Sequence, residues 1–443
     1  MSRTHSAPRF VVGDFGATGD GRALQTVALQ RAIDACAAKG GGTVVVTPGT
    51  YLTGGLVLRD RVTLYLEKGS TLLASADVAD YPLKEGVPTA LIFAERAGRM
   101  AIKGPGCIDG NGEKFWHKLT KPHKWAEDKK PNGCWVPHFD YEPKKRPRAL
   151  ILFSECYEIA FEDFLIRDSF HWTLLLMSCD HAVIRGVTMR TAVHGPNTDG
   201  IDLDSCQDVR VENCDILTGD DAVVLKSKGI WGLLRPSRNI TVRGCTLKSP
   251  THGFTIGTET RDDFEDITFT DSTIERADGH RCNSGVDLSI MDGGAIRRVK
   301  VARIKMTDVT VPIQIRIGNA GRGQWPKLPG RIEDIEIKDV TATGALGVNL
   351  IAGLPEHAVH DVALRNVQIT KAAPPNPAKV VKVVPEMWEE YPPGFAWLFL
   401  PARGLYCRHV KRLTLEKVTV ETSGSDPRPE FIFEDVEGLK EPG

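Results

Sequence analysis

No stretch of about 18 apolar residues occurs anywhere in this 443-residue chain, and Met1 to Phe10 carry no apolar run. Neither a spanning helix nor a signal peptide is therefore expected, and the subcellular address stays open. Charge of one sign is missing as well. Lys plus Arg number 56 against 57 Asp plus Glu, a net charge of −1, which excludes a chain built around nucleic acid or an anionic membrane surface. Any basic site must be local. The ten cysteines include no Cys-x-x-Cys pair, so the usual zinc frameworks are absent. Cys156, Cys179, Cys206 and Cys245 instead fall near one point of a repeat, as stacked, buried free thiols would.

Helical periodicity between the apolar segments is also lacking, and that absence excludes a βαβ fold. What recurs is period-two alternation, the pattern of strands. It is clear in 157–166, 181–189 and 208–216, and returns at 239–247, 265–274, 297–306, 333–340, 359–369 and 410–420. The intervals are mostly about 25 to 35 residues, with Asn, Asp, Gly and Ser at the corners. A right-handed parallel β-helix follows, all-β and of a single domain over 1–443, each coil covering the apolar face of the next. A β-sandwich would need hairpin turns at closer spacing.

The N-terminal segment departs from this rhythm. Residues 24–39 read as one amphipathic helix, with Val27, Ala28, Ile33, Ala35 and Cys36 as its apolar positions and Gly40-Gly41-Gly42 as its stop. It would cap the first coil, with strands beginning at Gly42. Two long segments also break the repeat. Residues 113–148 carry Trp116, Trp125, Trp135, Lys124, Lys129, Lys130, Lys144, Lys145 and Arg146, and residues 372–402 carry Trp388, Tyr391 and Trp397. Long loops in a repeat fold are expected to wall a groove, the competing reading being passive surface loops or an end cap.

Asp199, within Asn197-Thr198-Asp199, and the pair Asp220 and Asp221, within Gly219-Asp220-Asp221, lie about one repeat apart. Equivalent positions on successive coils stack at about 4.8 Å, so three carboxylates would share one patch. Glycosidic hydrolysis needs a protonated carboxyl to assist the leaving oxygen and, for inversion, a carboxylate to activate water. Residue types alone leave calcium ligands or plain corner aspartates open.

The order Asn197-Thr198-Asp199, Gly219-Asp220-Asp221 and His252-Gly253, with an Arg further on, resembles the active-site motifs of glycoside hydrolase family 28, the polygalacturonase family. The opening Asp14 to Gly21, Gly40 to Val44 and Pro48 to Tyr51 resemble the start shared by pectin-acting β-helix proteins. The resemblance implies Asp220 as general acid, Asp199 and Asp221 as the pair that activates water, and His252 as the residue tuning the acid. It implies Asn197 and Lys226 at the substrate, a pectic poly- or oligosaccharide cleaved by a monomer without cofactor or metal.

Two departures stand out. The family's Gly-His-Gly is Thr251-His252-Gly253, and its uronate-binding Arg-Ile-Lys has only Arg281-Cys282-Asn283 or Arg316-Ile317-Gly318 to offer. Neither keeps the lysine, which opens the way to a rhamnogalacturonan fragment or an exo-acting uronidase. The basic run from Lys124 to Arg148 fits an anionic glycan. A pectate lyase, a non-catalytic glycan-binding β-helix and a uronate epimerase are the alternatives from other classes.

Overall fold

Residues 8–121, 136–372, 379–391 and 394–441 are described by the computed structural model. One 31-stranded sheet runs through them, and its strands pair in parallel with the equivalent strand one coil away. Tyr157 pairs with Asp180, Asp180 with Gln207, Gln207 with Arg238 and Arg238 with Glu265, and the ladder continues to Lys411. The architecture is a right-handed parallel β-helix.

Alternation explains the burial. In the same ladder Ile159, Ala182, Val209, Ile240 and Ile267 stack on one another and are buried, so each coil's apolar row is covered by its neighbours. The corners need a left-handed residue, and one column supplies it on five successive coils: Asp163, Gly186, Asn213, Gly244 and Asp271 all have φ between 53° and 66°. Asp, Asn and Gly are the residues that tolerate that region at low cost.

Three details differ from the sequence expectation. The helix spans Thr26–Ala38, but its buried stripe is Leu29, Ala32, Ile33 and Cys36, while Val27 is 64% exposed. A short strand, Arg9–Val11, precedes the helix and pairs with the strand Gly42–Val46, so the sheet starts before the helix that was expected to open it. The cysteines form two columns: Cys156, Cys179 and Cys206 in one, Cys214 and Cys245 in the other. The nine described cysteines are free and buried. Cys134, Trp125, Trp135, Lys124, Lys129 and Lys130 lie outside the described residues.

One face of the solenoid bears the strands Trp172–Met177, Ile201–Asp204, Val223–Ser227, His252–Thr260, Cys282–Ile290 and Val309–Ile317 in that order. Apolar clusters cover it at both ends. Towards the N-terminus Trp231 packs with Phe93, Leu152, Trp172 and Leu175. Towards the C-terminus Val384, Trp397 and Leu400 pack on the outward-facing Val311, Val348, Leu350 and Tyr406. The middle of the face stays open.

Candidate active site

The open middle is a cleft of about 350 Å³, into which Asn197, Asp199, Asp220, Asp221, Lys226 and Tyr391 project among others. Local sequence explains how the carboxylates reach it. Gly200, Ala222 and Gly253 occupy one column, each just before its strand or at its first turn, and a Cβ on Gly200 would lie 2.8 Å from Ile216 while one on Gly253 would lie 2.7 Å from Ile274. Only a very small residue fits against the core there. The preceding residues, Asp199, Asp221 and His252, are carried on successive coils by Gly200 N to Asp221 O and Ala222 N to His252 O hydrogen bonds.

The charges divide into two groups. Lys226 Nζ donates to Asp199 Oδ2 at 3.0 Å and to Asp202 Oδ1 at 2.7 Å, with its ammonium 4.6 Å from the centre of the Trp172 ring. Burial pushes the Asp199 carboxyl well up, with Asp202, Asp220 and Asp221 adding to it and Lys226 opposing. Asp202 is pushed up to about 6, again by burial against the pull of Lys226. One cation thus serves two buried carboxylates.

The second group sets Asp220 and Asp221 apart. His252 Nδ1 lies 2.6 Å from Asp221 Oδ1, which also accepts from Thr251 Oγ1 at 3.0 Å. Burial would raise Asp221, but the His252 charge and hydrogen bond, with Lys226 and Thr251, outweigh it and hold the carboxyl below its ordinary value. Burial would likewise neutralise His252, yet Asp221 and then Asp287, whose Oδ2 is 3.4 Å from Nε2, raise it to about 9. Asp220 is shifted the other way: burial and the neighbouring Asp221 raise it, against the charges of His138, Lys226 and His252. Asn197 Nδ2 donates to Asp220 Oδ2 at 3.4 Å.

Two residues singled out from the sequence are not at the cleft. Arg281 donates to Gly344 O at 2.6 Å and to Asp308 Oδ1 at 3.1 Å, a corner contact away from the carboxylates. Arg316 is buried, its guanidinium bound to Glu390 O at 2.9 Å and to Met387 O, and so anchors the loop that delivers Tyr391. The strand in register after that of His252 carries Asp287, Leu288 and Ser289 instead of an arginine, with Asp287 held by Ser289 Oγ and Gln314 Nε2. Lys226 does line the cleft, but its ammonium is occupied by two carboxylates.

Other cleft residues escaped sequence reading. His138 Nδ1 donates to Gly219 O at 2.7 Å, and its other nitrogen is 3.9 Å from Asp220. Arg148, His171, Trp172, Lys228, Glu259 and Arg322 also line the space. Glu259 arrives through a register shift: Leu225 pairs with Ile256 but Ser227 with Thr260, so 257–259 bulge into the cleft. No repeat pattern marks such a bulge.

A parallel β-helix that gathers one buried and two half-buried carboxylates beside an imidazolium on one open face defines an enzyme of the glycosidase class. The family described as "Glycosyl hydrolases family 28" matches residues 50–387, and the chain belongs to it. A second description, "Rhamnogalacturonase A/epimerase, pectate lyase-like", matches residues 10–76. Among relatives, a "Probable polygalacturonase" of Vitis vinifera is 28% identical over 84% of this chain and 75% of its own length. An "Exo-poly-alpha-D-galacturonosidase" of Dickeya chrysanthemi is 24% identical over 78% of this chain, which spans 64% of that protein. The solved Yersinia enterocolitica family 28 exopolygalacturonase shares the fold, with a TM-score of 0.76 and 21% identity over 98% of this chain and 78% of that one.

Proposed function

We propose that the chain is an inverting glycoside hydrolase that releases galacturonate from the ends of α-linked galacturonan chains, acting as a monomer. The observation that carries this is the opposite displacement of two adjacent carboxyls, Asp220 upward and Asp221 downward. Neighbouring carboxyls driven apart in this way take the roles of acid and base. Asp220 keeps its proton and passes it to the leaving oxygen. Asp221, held ionised by His252 and Thr251, takes a proton from the attacking water, which Asp199, lining the same cleft, helps to hold. Asn197 orients the acid. His252 stays an imidazolium across neutral pH and so keeps the base ionised.

Galacturonan as the substrate is supported by the names of the family relatives, and action at chain ends by the two apolar walls. A face blocked on both sides of the catalytic coils receives a terminus more readily than the middle of a long polymer. The test is to incubate the protein with polygalacturonate in the presence of chelator. Saturated monogalacturonate should accumulate from the first minutes, and Asp220→Asn should reduce its rate by about 10³-fold while leaving folding intact. Unsaturated, calcium-dependent products would make the protein a lyase. Full activity in Asp220→Asn would remove the acid assignment.

A further inference from the structure

The cleft holds several cations, and nearly all have an internal acceptor. Lys226 is bound by Asp199 and Asp202, Lys228 by Glu259 at 3.1 Å, and Arg322 by Asp292 at 2.8 Å. Behind them Arg146 donates to Phe170 O, Pro196 O and Asn197 Oδ1. Arg148 differs. It lines the cleft, its Nε is buried without a hydrogen-bond partner, and among the described residues no carboxylate lies within ion-pair distance of it. Its guanidinium sits 4.9 Å from the centre of the Trp231 ring, and the Trp231 indole is itself fixed by a 3.2 Å hydrogen bond from Nε1 to Glu85.

A buried guanidinium nitrogen without a partner is costly, and partial burial alone holds the half-buried Arg148 below the usual guanidinium range. Stacking on an aromatic face orients the planar fork but leaves its charge uncompensated. An anion arriving in the cleft would supply what is missing. Arg281 and Arg316 cannot do so, because main-chain carbonyls and Asp308 already occupy their donors.

We propose that Arg148 is the specificity-determining residue that receives the carboxylate of the bound uronate, as a two-pronged donor on the N-terminal side of Asp199, Asp220 and Asp221. This rests on the galacturonan reading above and assigns the group that distinguishes acid from ester. A carboxylate accepts both prongs of the fork, whereas a methyl ester carries no charge and offers a weaker acceptor.

The experiment compares wild type, Arg148→Gln and Arg148→Lys on trigalacturonate and on its methyl ester, with the binding of galacturonate and its methyl ester to Asp220→Asn and Asp220→Asn/Arg148→Gln measured by calorimetry. Arg148→Gln should lower kcat/KM on the free acid about 30-fold or more, mainly through KM, and change the ester rate less than about threefold, so that acid preference collapses. Arg148→Lys, which keeps the charge and loses the fork, should fall between, and it serves as the readout if Arg148→Gln does not fold. Equal losses on acid and ester, or an unchanged preference, would overturn the assignment. If wild type hydrolyses neither substrate yet galacturonate binds Asp220→Asn and loses affinity with Arg148→Gln, the galacturonan-hydrolase reading falls and the Arg148 site stands.

Discussion

At the scale of single residues, the site is organised by which carboxyl has a cationic partner. Asp221 accepts from His252 and Thr251 and Asp199 from Lys226, whereas Asp220 accepts from neutral donors, Asp221 N at 3.1 Å and Asn197 at 3.4 Å, with His138 more distant. His252 lowers both Asp221 and Asp220. Removing its charge therefore raises both groups, and the bell-shaped pH profile of kcat/KM in His252→Gln should move as a whole to higher pH. Acidic activity would be lost because Asp221 is protonated sooner; alkaline activity would persist because Asp220 holds its proton longer. A profile left in place would mean that His252 does not set the titration of this pair.

Asp199, Asp221 and His252 were legible in the sequence because they sit at equivalent points of the repeat, and Asp220 because it adjoins Asp221. Arg281 and Arg316 were misleading for a physical reason: a buried or corner arginine in a coil finds carbonyls and a corner aspartate nearby, and motif wording does not reveal that its donors are occupied. Arg148 and His138 come from the irregular 113–148 segment, where no period tells which side chain turns inwards.

At the scale of elements, the strand His252–Thr260 carries the largest local irregularity. The 257–259 bulge brings Glu259 to Lys228 and presents Thr258 O to Arg322 at 2.7 Å. Gly257 makes it possible: φ is +120°, and a Cβ there would lie 2.0 Å from Ser289 O. Gly257→Ala should destabilise the protein by about 1–3 kcal/mol and lower kcat/KM by about 10- to 100-fold, read by thermal melting and steady-state kinetics. Unchanged kinetics in a folded variant would show that the bulge serves packing alone. The helix Thr26–Ala38 shows the same limit of sequence reading on a smaller scale. Its existence followed from apolar spacing and the glycine stop, but which flank faced the coil depended on Leu29 and Ala32, on the side that packs against the first strands of the sheet.

Across the whole molecule, the ends of the catalytic face are closed by segments outside the repeat. Trp397 is central to the C-terminal wall, buried on Val311 and Leu350 with Nε1 donating to Gln314 Oε1 at 2.7 Å. Trp397→Ala removes both contacts, at about 3–5 kcal/mol for a buried ring. Loosening that wall should let longer polymer pass, so that di- and trigalacturonate appear early beside the monomer in chromatography of polygalacturonate digests. Continued release of monomer alone would place the determinant of end action elsewhere. A wall from 372–402 was expected from loop length and aromatic content, and it seats on the outward-facing Val311, Val348, Leu350 and Tyr406; the N-terminal wall, centred on Trp231, lies outside both segments that the sequence singled out.

The column that joins Asp199, Asp221 and His252 crosses three consecutive coils in the interior of the stack. In such a one-dimensional assembly each coil is held chiefly by its two neighbours, and unravelling starts from the termini. Peeling a coil from either end leaves the reacting groups and their hydrogen-bonded ladder untouched. The chemistry is stored where the solenoid comes apart last, and loss of activity on heating should trail behind the first fraying of its ends.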